Sequence, residues 1–76
     1  MKLSQLKVHQ YALILSVSIP KKKLKKRLLE LGIVPETFIK VVKIAPLKDP
    51  ISIEIRGYEL CISRKIASYI LVEVIR

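Results

Sequence analysis

Ile51, Ile53 and Ile55 alternate with Ser52, Glu54 and Arg56, and Gly57 follows at once. Successive side chains of an extended chain point to opposite faces, so this alternation predicts a strand with one apolar side. Gly57 can take the positive φ that a tight hairpin demands. Tyr58 to Ile62 then reads as the return strand, with Leu60 and Ile62 facing the same way as Tyr58. The chain has 76 residues, which bounds it to one small domain over residues 1–76. At that size a single core is marginal, and an unusually apolar composition compensates: 51% of the residues are apolar, with Ile, Leu and Val dominant.

The other segments supply partners for the hairpin. Leu3 and Leu6 suit a short turn packed on the core. Tyr11 to Val17 reads as a buried strand. Pro20 stands where a helix can begin, because its missing N–H costs nothing in the first turn. From Lys21 to Leu31 the apolar positions Leu24, Leu28 and Leu31 recur at helical spacing, with Leu29 widening the stripe, and Gly32 follows as a cap. Pro35, Glu36 and Thr37 form a turn, and Phe38 to Ile44 reads as a half-exposed strand. Ala45 to Pro50 is a loop bracketed by Pro46 and Pro50. Ser63 is placed to cap one helical turn running toward Tyr69, and Ile70 to Val74 is a last strand. About five short strands with one inserted helix would expose their edges as an open sheet, so closure into a small barrel is expected. Gly32, Pro35, Pro46, Pro50 and Gly57 are then its corners.

Charge and reactive groups bound the chemistry. There are 15 basic and 6 acidic side chains, a formal charge of +9, and Lys21, Lys22, Lys23, Lys25, Lys26 and Arg27 fall in one short stretch. Such a field attracts nucleic acid, anionic lipid or an acidic protein surface without choosing among them. Aromatics are few, with one Phe, three Tyr and no Trp, which weighs against a base-stacking nucleic-acid module. A single cysteine, Cys61, excludes an internal disulfide and fits a reducing compartment. The Tyr11 to Val17 run is too short for a membrane span, and no signal peptide is evident. The expectation is a soluble cytoplasmic protein.

His9 and Cys61 are the only nitrogen and sulfur side chains of the kind transition metals favour, and no spacing motif joins them. Their ordinary readings are a surface turn residue and a packed small residue. Asp49, Glu54 and Glu59 lie near one hairpin, so a weak, water-rich site for Fe2+ or Zn2+ is left open. No nucleophile has a base partner and no glycine-rich phosphate loop occurs, so no catalytic residue is expected. Two features remain. Leu47 sits in the proline-bracketed loop, either folded back on the core or exposed as an apolar anchor. The lysines on the helix are either a solvated face or a docking face, and their spacing, Lys21 with Lys25 and Lys22 with Lys26, is repulsive. Lys22, Lys25, Lys26, Leu47 and Asp49 are therefore the candidate partner-binding residues.

The stretch RLLELGIVPETFIKVVKIAPLKDPISIEIRGYEL, from Arg27 to Leu60, resembles the ferrous iron transport protein A (FeoA) family. The family shows an Arg-Leu-Leu-x-Leu-Gly helix ending, a Pro-Gly-Thr turn, a loop like Ala-Pro-Leu-Gly-Asp-Pro and an Arg-Gly-Tyr hairpin. Here these correspond to Arg27–Gly32, Pro35–Thr37, Ala45–Pro50 and Arg56–Tyr58. The flanks MKLSQL and ILVEV fit as well. Three positions depart: Glu36 stands for the usual Gly, where a positive φ would be strained, Lys7 to Gln10 replace a Pro-Gly turn, and Cys61 to Lys65 alter a Leu-Arg pattern. The resemblance implies a mainly β, SH3-like barrel of five to six strands. It further implies a cytosolic accessory protein of bacterial ferrous iron uptake, recruited to the inner face of the membrane by an FeoB-type transporter. Contact would be with the transporter's GTP-binding or membrane part. Similar domains end iron-dependent repressors, so transition-metal binding or sensing is the alternative, and a basic nucleic-acid-binding barrel is a further one. A homo-oligomer is left open.

Overall fold

The structure is a computed structural model that describes residues 1–75. Ile51, Ile53 and Ile55 are each shielded from solvent in strand β3 (Ile51–Ile55), as their alternation requires. Strand β4 (Tyr58–Ile62) returns antiparallel, with Ile55 opposite Tyr58. The two residues between them, Arg56 (φ 50°) and Gly57 (φ 85°), both adopt left-handed backbone, the conformation that matches a two-residue turn to strand twist. The outward alternation of β4 places Cys61 in solvent, which corrects its expected packing; its Sγ lies 3.1 Å from Ser52 Oγ on β3.

The remaining strands are β1 (Tyr11–Val17), β2 (Phe38–Ile44) and β5 (Ile70–Ile75). All neighbours are antiparallel, in the order β4-β3-β2-β1-β5. Register shifts after Ile14 on β1 and after Val41 on β2 mark bulges, which bend a strand and increase its twist. With them the sheet wraps one core in which Ile14, Ile39, Val41, Ile53, Ile70 and Val72 are all buried. The outer strands β4 and β5 form no ladder with each other among the described residues. Helix α2 (Arg64–Ala67) links them in the chain, and a 3-10 turn at Leu3–Gln5 packs against both α2 and β5. Leu3 and Ala67 have no exposed surface there. Residues 1 and 2 run along β5, where the Val72 N–H donates to the Met1 carbonyl (2.7 Å) and Lys2 bridges to Leu71.

Helix α1 (Lys22–Glu30) lies between β1 and β2 in the chain, within a residue of each expected end. It ends as expected at Gly32 (φ 95°), where the Gly32 N–H donates to the Leu29 carbonyl (3.0 Å) and the Ile33 N–H to the Leu28 carbonyl (2.9 Å). Leu28 is buried, and Leu24 and Leu31 pack partly against the core. Leu29 does not widen this stripe. It is 41% exposed, because about 100° per residue carries it round to the side of Lys22 and Lys26. The Pro35–Thr37 turn keeps its left-handed geometry without glycine: Glu36 has φ 68°, and its N–H donates to the Ile14 carbonyl (2.7 Å).

Candidate docking surface

The loop from Ala45 to Pro50 closes on itself: the Ala45 N–H donates to the Pro50 carbonyl (3.1 Å) and the Lys48 N–H to the Ala45 carbonyl (2.7 Å). Lys48 takes a left-handed turn (φ 67°), and the Asp49–Pro50 peptide is cis. The geometry throws Leu47 outward, leaving 91% of it exposed, the most exposed of the large apolar residues. The folded-back reading of Leu47 is therefore excluded: its side chain stands in solvent. Asp49 is engaged within the chain. Its Oδ1 accepts the Arg64 N–H (3.0 Å), tying the loop to the start of α2, while Ser63 Oγ caps the same helix by accepting the Ile66 N–H (3.1 Å).

On α1, Lys22, Lys23, Lys25, Lys26 and Arg27 are all exposed, and Glu30 is the helix's one acid. No acidic residue occupies the first turn and no side chain caps the N-terminus. The positive end of the helix dipole thus meets only positive side chains, an arrangement each of them weakens. The inward leucines hold the helix in place. A shallow groove is lined by Ile19, Leu24, Ile66 and Tyr69 together with Lys21 and, from α2, Lys65. A second groove on the far side of α2 is rimmed by Lys7, Lys48 and Arg64. The two grooves thus bring basic side chains of the loop, α2 and the start of α1 to the surface at two places. The sequence marks only the α1 portion, since Lys65 and Lys48 come from segments distant in the chain.

The metal candidates separate. His9 is exposed in a left-handed turn (φ 74°) with its N–H on the Val41 carbonyl (2.6 Å), and Cys61 sits on β4. Glu54 and Glu59 stand opposite each other across the β3–β4 ladder. No three His, Cys, Asp or Glu side chains gather into a coordinating group among the described residues. The donor set does not fit a resident Fe2+ or Zn2+ site, and no chemistry is routed through one. No helix among the described residues is long and apolar enough to cross a membrane.

A family model described as FeoA domain matches residues 1–74. The chain is 39% identical over 75 residues to an Fe(2+) transport protein A/Fe(2+) transporter FeoB fusion protein of Porphyromonas gingivalis, covering 99% of this chain and 9% of the fusion. It thus spans under a tenth of that relative's length. The solution structure of an FeoA protein from Chlorobium tepidum superimposes with a TM-score of 0.93 at 37% identity, over 100% of this chain and 71% of that one. A zinc complex of FeoA from Stenotrophomonas maltophilia, an SH3 domain protein, gives 0.82 at 25% identity over 96% of this chain and 89% of that one. The five-stranded antiparallel sheet with short helices is this SH3-like fold.

Proposed function

The chain belongs to the FeoA domain family, a family of non-catalytic accessory domains associated with ferrous iron transport, and on that premise we propose that it docks on the cytosolic part of an FeoB-type transporter. The observation that carries this reading is the relative in which the homologous segment and the transporter share one polypeptide. Covalent linkage makes the encounter intramolecular and raises the effective concentration of each part for the other. The docking itself has to come from the surface of the domain. Leu47, 91% exposed at the tip of an internally bonded loop, is the anchor for it. Interface energy concentrates in a few apolar anchors that enter pockets on the partner. The chain then works on the cytosolic side of the membrane, without catalysis of its own, by binding one state of the transporter more tightly than another.

The test is capture of the transporter's cytosolic domain by this chain, with and without guanine nucleotide, followed by surface plasmon resonance. Capture that differs between nucleotide states is expected. Leu47→Ala is expected to bind more weakly through faster dissociation, with its unfolding midpoint unchanged because the side chain touches no core. Absence of capture in every nucleotide state refutes the reading, and parent-like kinetics for Leu47→Ala move the contact elsewhere.

A further inference from the structure

We propose that the basic face of α1 binds anionic phospholipid headgroups and seats the domain on the bilayer surface. The inference rests on the transporter reading in one respect only: a transporter's partner works within reach of a bilayer, which selects lipid among polyanions. The rest comes from the helix itself. Lys21 to Arg27 rises only about 9 Å along the axis at roughly 1.5 Å per residue, about one Debye length at physiological salt, so its six cations sum to one concentrated field. At about 100° per residue Lys22, Lys25, Lys26 and Leu29 share the outward side of the helix, opposite Leu24, Leu28 and Leu31, with Lys21, Lys23 and Arg27 flanking it. A layer of mobile anionic headgroups meets that face broadside and gathers to the flanking cations as well.

The helix is arranged against its own stability. Lys22 and Lys23 oppose the helix dipole in the first turn, and Lys21 with Lys25 and Lys22 with Lys26 repel at one-turn spacing. Bound anions relieve both effects. Leu29, 41% exposed, stands one turn from Lys25 and Lys26 on the outward side. An apolar side chain ringed by lysines gains nothing in water and gains burial at the boundary between headgroups and acyl chains. Lys65, which lines the same groove as Lys21, adds a cation from α2. Few aromatics are present to hold a nucleic acid by stacking.

Co-sedimentation with phosphatidylcholine vesicles, with and without phosphatidylglycerol, at physiological ionic strength tests this on the chain alone. The parent is expected to bind only the anionic vesicles. Lys22→Ser with Lys26→Ser is expected to weaken partitioning by roughly thirtyfold, while Lys7→Ser with Lys43→Ser, an equal loss of charge elsewhere, weakens it far less. The chain contains no Trp, so Leu29→Trp provides a single indole, excited apart from the three tyrosines, whose emission is expected to shift to the blue on anionic vesicles. Equal binding to both vesicle types, equal weakening by the two pairs, or an unshifted Leu29→Trp in the bound fraction overturns the proposal. So does a Lys22/Lys26 pair that loses only the transporter's cytosolic domain, which identifies an acidic protein surface. Failure of the transporter reading shows separately, as absent capture of that domain by a parent that still binds vesicles.

Discussion

Left-handed backbone at six of the described residues shapes most of the reversals of this chain. Gly32 and Gly57 take it freely, whereas His9, Glu36, Lys48 and Arg56 take it with a side chain in place. The side-chain-bearing positions are held by their surroundings: the His9 N–H reaches the Val41 carbonyl and the Glu36 N–H the Ile14 carbonyl. Gly57 has no such support from packing, since a Cβ there meets nothing within 4 Å. Its requirement is therefore purely one of backbone. Gly57→Ala is expected to lower stability by about 1–2 kcal/mol, the cost of a Cβ in left-handed geometry, and Gly57→Asn by less. Urea unfolding midpoints check it, and an alanine variant as stable as the parent would show that the hairpin turn tolerates another conformation. At Gly32 a Cβ would also come within 3.3 Å of Arg56 Cδ, so substitution there adds crowding between the helix end and the hairpin. Tyr58 reinforces that junction by donating its hydroxyl to the Leu31 carbonyl.

Helix α1 separates stability from function at the scale of an element. Replacing Lys22 by Glu puts an acid beside the helix N-terminus and converts the repulsive Lys22–Lys26 spacing into an attractive one. Lys22→Glu is expected to stabilise the fold by about 0.5 kcal/mol while reducing affinity for anionic vesicles. Thermal unfolding at low and high salt checks the sign, and the gain should shrink as salt screens it. A destabilised variant would mean that Lys22 makes a contact the helix depends on. The elements themselves were legible in the sequence because each follows a simple period: two residues for β3, and one turn for Leu24, Leu28 and Leu31. The errors came from reading composition without phase. Leu29 is apolar but lies on the wrong side of the helix, and Cys61 stands between Leu60 and Ile62, where alternation itself points it outward. The exposure of Leu47 and the bond from Asp49 to α2 depend on tertiary closure and carry no local signal. The same holds for Lys65 and Lys48, which line grooves together with residues distant in the chain. Glu36 shows a further limit: it holds a glycine-like φ because β1 accepts its N–H, a partner more than twenty residues away.

The whole molecule depends on how the two outer strands of its sheet are finished. Five strands wrapped round one core leave β4 and β5 without a mutual ladder, and the first residues of the chain complete the β5 side. The Met1 amino group donates to the Val72 carbonyl (2.9 Å), the Val72 N–H returns to the Met1 carbonyl, and Leu3 and Leu6 drop into the core beneath. Leu3 has no exposed surface, and Leu6 retains 4%. Truncating a fully buried leucine to alanine costs about 2–5 kcal/mol through lost burial and the cavity left behind. A domain of this size has a total stability of roughly 4–11 kcal/mol at about 0.05–0.15 kcal/mol per residue. Leu3→Ala alone should therefore consume a large share of it. Removing residues 1–6 withdraws both leucines and uncovers the β5 edge, and it is expected to abolish cooperative unfolding altogether. Urea titration followed by far-ultraviolet circular dichroism distinguishes the two: a lowered but cooperative midpoint for Leu3→Ala, and a gradual, sloping trace for the truncated chain. A truncated chain that unfolds cooperatively at the parent midpoint would show that the sheet holds its own edge and that the N-terminal turn only rests upon it.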